Sequence, residues 1–143
     1  MNIIKDEVLD GFENISRTRG TNAKKDLLSV YMRNLYFTTL LEFTFNPYRS
    51  FNVVKIPKIK KEERNPVDPR EAWKSFILNA DRCSKREVTG NAAIALIQNS
   101  FKKSSEQQEK WMRKILKKNL AIGISTKTIN KVFPGTIPTF DVA

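Results

Sequence analysis

Residues 88–138 read VTGNAAIALIQNSFKKSSEQQEKWMRKILKKNLAIGISTKTINKVFPGTIP, and this stretch decides the fold. Apolar residues recur in it at helical spacing in three runs: Ala93, Ile94, Ile97 and Phe101; then Trp111, Met112, Ile115, Leu116 and Leu120; then Ile129, Val132 and Phe133. Thr89 stands where it can cap the first helix, Ser105 with Gln108 has the spacing of a capping box for the second, and Ser125 can cap the third. Gly123 is expected to end the second helix in a left-handed conformation, and Pro134-Gly135 to stop the third. Two helix starts result, Thr89-Gly90-Asn91 and Gly123-Ile124-Ser125, beside a helix face of Lys110, Arg113, Lys114, Lys117 and Lys118. Unpaired N–H groups and the helix dipole both favour anions at such starts. Gly90 in a first turn costs helix propensity. Either something approaches the backbone closely there, or another helix packs tightly against it.

Working outward, Ile4, Val8, Phe12 and Ile15 predict a helix from residue 3 to about 16. Thr21 or Asn22 can cap the next, with Leu27, Leu28, Tyr31, Met32 and Leu35 inward. The aromatic-rich run 35–45 reads as helix and core, although its Thr and Phe content also fits a strand. It ends at Asn46-Pro47. Residues 47–67 are irregular and hold KIPKIKKEERN, which is either a phosphate-touching loop or a solvated, mobile one. Asp68, Pro69 and Glu71 predict a capped helix start, with Trp73, Phe76, Ile77 and Ala80 inward and an end near Cys83-Ser84. The expectation is an all-α, single compact domain of about six or seven helices.

The chain of 143 residues carries 26 basic and 15 acidic groups, a formal net charge of +11. Residues 1–70 hold 13 basic against 9 acidic groups (+4), and residues 71–143 hold 13 against 6 (+7). The excess leans toward the half containing the quoted stretch, which favours a polyanionic partner. There is no histidine, and Cys83 is the only cysteine, so disulfides and thiol- or imidazole-based zinc sites are excluded. Walker and Rossmann glycine patterns, a nucleophile elbow and paired carboxylates are also missing. No apolar run approaches a membrane span and no signal peptide is visible, which leads us to expect a cytoplasmic protein and a monomer with no membrane partner.

The segments VTGNAAIALI and KWMRKILKKNLAIGISTKTINKVFPGTIP resemble the N-terminal DNA-binding domain of ATP-dependent DNA ligases, most closely the T-even phage type. The shared pattern is a Thr-Gly-small helix start, a helix running to a Leu-x-Ile-Gly end, a short helix with Ser/Thr near its start, and an aromatic-Pro-Gly-x-Ile-Pro segment, here Phe133 to Pro138. It covers about fifty residues, with a looser fit over 21–47. Two positions depart from many cellular relatives: Ala121 stands where they have arginine, leaving Lys118 or Lys127 to substitute, and Thr126 where they often have glutamate.

The resemblance implies a helical domain at 1–134 that holds nicked duplex DNA through the minor groove and backbone, in replication, repair and recombination. Residues 135–143 would be a linker toward an absent nucleotidyltransferase domain. It implies that Thr89, Gly90 and Asn91 form one phosphate-facing start and Gly123, Ser125, Thr126 and Lys127 the other, with Lys114, Lys117 and Lys118 on the helix between. Such contacts position a protein without reading sequence. The catalytic domains of the same ligase would be partners, and ATP and Mg2+ would serve the full enzyme, with no cofactor in this chain. The adenylation motif Lys-x-Asp-Gly is missing, so this chain alone is expected to be inactive. The alternative is an interaction module that docks a ligase on a replication partner such as a sliding clamp, through 36–45 or 57–66. A small sequence-specific regulatory protein would account for the charge but not for the ligase-like spacing.

Overall fold

The computed structural model describes residues 5–53 and 55–139. Ile4, expected on the inner face of the first helix, and residues 140–143 of the expected linker lie outside them. Seven α-helices follow in order among the described residues: α1 Glu7–Arg17, α2 Thr21–Tyr31, α3 Leu35–Phe45, α4 Pro69–Ser84, α5 Gly90–Lys102, α6 Glu106–Leu116 and α7 Thr126–Val132, with a single 3-10 turn at Lys61–Glu63 and no strand. The run 35–45 is helix, because Asn34 accepts from the N–H groups of Tyr36 and Phe37 and opens the first turn.

α1 lies at the centre. Phe12 is fully buried. Its ring packs 5.0 Å from Phe37 of α3, 5.4 Å from Trp111 of α6 and 6.1 Å, edge-on, from Trp73 of α4. Offset and edge-on contacts of this kind add to the burial term. Both indoles also need an acceptor once buried, and α1 supplies both: Trp73 donates to Asp6 (2.9 Å) and Trp111 to Glu13 (3.0 Å). Asp6 also caps α1 through Leu9 N–H (3.0 Å) and accepts from Gln108 of α6 (2.8 Å). One carboxylate thus joins the first, fourth and sixth helices.

Several helix ends match the sequence reading. Asp68 caps α4 through the N–H of Arg70 with Pro69 in the first turn, and Ser105 and Gln108 cap each other at the start of α6. Others do not. α2 starts one residue early, with Gly20 as its N-cap and Thr21 already helical. Leu35 is not on the inner face of α2 but begins α3 and is 78 % exposed. α6 does not run to Gly123. It ends at Leu116, where Lys118 N–H bonds to the Ile115 carbonyl and Asn119 N–H to that of Lys114 while Lys118 takes φ 59°. That is a Schellman end with lysine in the left-handed position. α4 ends the same way on Arg86, φ 57°. Leu120 is buried as expected, but from the connection after α6 rather than from the helix. Ile137 is also buried, and Asn130 grips its N–H and carbonyl, so this part of the segment 135–143 packs on the core.

Asp6→Ala removes a cap and strands an indole N–H and an amide, and should lower unfolding free energy by about 2–4 kcal/mol in urea melts. Asp6→Asn, which keeps an acceptor, should lose less than half as much. An alanine variant within about 0.5 kcal/mol of the parent would show that the three-way junction carries no stability.

Candidate functional site

The start of α5 is bare. Thr89 takes the N-cap position, yet its side chain makes no capping hydrogen bond. The N–H groups of the first turn therefore face outward unshared, and Thr89, Gly90 and Asn91 are all exposed. Gly90 has φ 61°, a conformation that side chains disfavour, and nothing lies within 4 Å of where a Cβ would stand. No neighbouring helix packs on it, so the space beside this turn is open.

The basic face of α6 is largely engaged within the protein. Arg113 pairs with Glu109 (2.8 Å), donates to the Ile56 carbonyl (2.9 Å) and lies over the Phe101 ring. Lys110 and Lys114 lie over the Trp111 ring, their ammonium groups 5.3 and 4.3 Å from its centroid. Lys118 turns inward and donates to the carbonyls of Asn46 and Arg49. Burial, and then the nearby Arg49 charge, push the Lys118 ammonium below its usual range, against the pull of Glu42. Lys117 alone of the five stays exposed without a partner among the described residues. The sequence reading overlooked that a lysine at the left-handed end of a helix is swung off the helical face.

The connection from α6 to α7 is pinned at both sides. Leu120 and Ile122 are buried, and Lys24 of α2 donates to the Ile122 carbonyl. Gly123 takes φ 71°, and a Cβ there would stand 2.5 Å from the Lys24 ammonium, so α2 crosses closely at this turn. Ser125 then caps α7, accepting from Thr128 N–H (3.2 Å), as its position predicts. Ser125 and Lys127 are exposed and Thr126 is half-buried.

Residues 46–52 brace the two regions together. Arg49 pairs with Glu42 (3.2 Å) and Asp81 (3.0 Å), lies over the Phe43 ring, and offers its carbonyl to Lys118. Asn52 donates to the Cys83 carbonyl, at the C-terminal end of α4. One segment therefore touches the helix end that leads into Gly90 and the helix end that leads into Ser125. Asp81 sits between Arg49 and Lys85 (2.9 Å). Its partial burial alone would raise its carboxyl, but the hydrogen bonds from Lys85 and Arg49 together outweigh that and hold it below the usual range.

The lysine-rich loop is a fixed strap across α5 and α6. Arg64 reaches into the fold to the Phe101 and Ser104 carbonyls and to Glu109 (2.8 Å), and Gln98 donates to the Pro57 carbonyl. Asn65 and Val67 donate to the carbonyls of Lys102 and Lys103 at the end of α5. Lys55, Lys58, Lys60 and Lys61 stay exposed on it. Among the described residues no helix is long and apolar enough to cross a membrane, and no group of metal-ligating side chains is gathered.

No protein-family model matches the chain, and no curated protein matches it. Solved structures do. One named Pmar-Lig_PreS3 superposes with a TM-score of 0.76 at 25% identity, covering 92% of this chain and 31% of its own. Another, Pmar-Lig_Pre., gives 0.75 at 25% identity, covering 89% of this chain and 30% of its own. The chain spans less than a third of the length of these neighbours, which suggest a ligase-related domain.

Lys118→Ala should cost about 1–3 kcal/mol of stability by leaving two carbonyls without their donor, whereas Lys117→Ala should stay within about 0.5 kcal/mol. Equal effects in thermal melts would contradict the inward placement of Lys118. Because the folded Asp81 carboxyl is held below its free value of 3.8, its ionised form adds stability above that pH. That contribution should fade as acid carries the pH down through the depressed value, and Arg49→Gln should move the carboxyl back up in an NMR titration.

Proposed function

We propose that this chain is the DNA-binding domain of an ATP-dependent DNA ligase, and that it grips duplex DNA, nicked in its working state, through the backbone and the minor groove. The observation that carries the reading is the pair of exposed helix starts, Thr89–Asn91 and Ser125–Lys127, whose lead-in turns are held against one brace at residues 46–52. In this reading the bare α5 start and the α7 start each meet phosphate oxygens, and Gly90 allows the backbone to come close. Lys117 and Lys127 add charge, and Lys114 reaches the backbone from the Trp111 ring. Lys118 acts at one remove, by fixing the turn that delivers α7. Contacts of this kind set position and orientation without choosing a sequence. The fold likeness to the ligase-named structures supports the assignment, as does the charge excess in residues 71–143.

The domain would act within a longer enzyme whose catalytic domains supply ATP and Mg2+ chemistry. Repair, replication and recombination are the settings in which nicks arise.

Fluorescence anisotropy with nicked duplex, intact duplex and single strand, titrated across salt, tests the reading. Neutralising about five phosphates should give a log–log salt slope near −4 to −5. Lys117→Gln with Lys127→Gln should flatten it by roughly 2 units. An absence of duplex binding at low salt would overturn the proposal, and an unchanged slope would remove the two lysines from the contact surface.

A further inference from the structure

One groove among the described residues has no residue of either helix start in its lining. It has a volume of about 680 Å³ and runs between the end of α2 and the start of α3. Its apolar lining includes Val30, 56 % exposed, and Leu35, 78 % exposed, with Tyr31 and Tyr36 beside them. Two apolar side chains standing out beside one groove give an apolar ligand group a surface to cover. A second depression of about 370 Å³ shares Lys5, Glu7, Asn34 and Arg70 with it and extends it toward Asp6 and Trp73. The two depressions share those four residues, so a stretch of chain can lie across both.

The rim decides the charge of the occupant. Lys5 and Arg33 are exposed and have no acidic partner among the described residues, and Arg70 makes only a 3.8 Å contact to Asp68 with its side chain 76% exposed. Two acids line the combined groove, and both are engaged: Glu7 accepts from Asn34 (3.2 Å), and Asp6 from Leu9 N–H, Trp73 and Gln108. The first turn of α3 lines the same groove, with its Tyr36 and Phe37 N–H groups already taken up by the Asn34 side chain.

From this geometry we propose that the groove between α2 and α3 docks an acidic peptide segment of a partner protein, a bulky apolar side chain entering between Val30 and Leu35 while flanking carboxylates meet Lys5, Arg33 and Arg70. The proposal does not rest on the DNA reading, since none of these residues belongs to the α5 or α7 starts. An apolar anchor in a desolvated pocket with charges around it is the usual anatomy of a small interface.

Selection of displayed random twelve-residue peptides on the immobilised chain tests it. The expected result is enrichment of sequences with Asp or Glu flanking Leu, Phe or Trp. A synthetic peptide of that sequence should bind at least tenfold more weakly to Val30→Glu/Leu35→Glu and to Lys5→Glu/Arg33→Glu. Both pairs replace exposed side chains, and thermal melts report whether each variant is folded; if one is not, the other decides. Failure to enrich any sequence, enrichment without acidic residues, or undiminished binding to the folded variants would overturn the proposal.

Discussion

Two tryptophans cannot be buried in a small helical core unless their N–H groups find acceptors. In this protein α1 meets that demand at both ends of its inner face, with Asp6 for Trp73 and Glu13 for Trp111. Phe12 between them carries the apolar part of the same contact. An unpaired indole in this setting would cost the desolvation of its N–H, so the arrangement is strongly directional. It fixes how α1 is turned about its axis, and with it where α4 and α6 can lie. The remaining helices fill the sides of a frame that this helix has already set.

The regions offered to a ligand are assembled at second hand. Neither the α5 start nor the α7 start is anchored by its own side chains alone. Each is delivered by the end of a preceding helix, and both of those ends lean on residues 46–52. Arg49 is the junction, because its guanidinium faces α3 and α4 while its carbonyl faces Lys118. An arginine suits this place, since a planar fork can satisfy two carboxylates and still lie over a phenyl ring. The geometry of the two starts relative to each other is therefore a property of the brace as much as of the glycines.

Local signals in the sequence were good guides wherever the chemistry is local. Asp68-Pro69, Ser105 with Gln108, and Ser125 were each legible as helix starts, because a cap and its N–H are only a few residues apart. Most inward positions were legible for the same reason, but Leu35 and Phe133, expected inward, stand exposed. What could not be read depended on distant partners. Asp6 looks like an ordinary surface acid until Trp73 and Gln108 are brought to it. Lys118 looks like part of a basic stripe until its backbone turns left-handed, where glycine is the usual occupant. The lysine-rich loop reads as either a phosphate-touching or a solvated, mobile segment, and its packing is hidden because two groups that hold it, Arg113 and Gln98, lie far along the chain. Of the two explanations open for Gly90, the empty space around it removes the packing one. The backbone angle accounts for the residue and leaves the approach clear.

The strap at 55–64 is fastened through main-chain carbonyls at Ile56 and Pro57 and through the inward side chain of Arg64. None of its exposed lysines takes part in that fastening. Glu63 adds a tie to Lys102 of α5 (3.0 Å), so the fastening falls on other residues of the ten than the exposed lysines. The exposed lysines can be recharged, or made neutral, without disturbing the helices beneath them, whereas Arg64 and Glu63 must keep the charges that pair with Glu109 and Lys102.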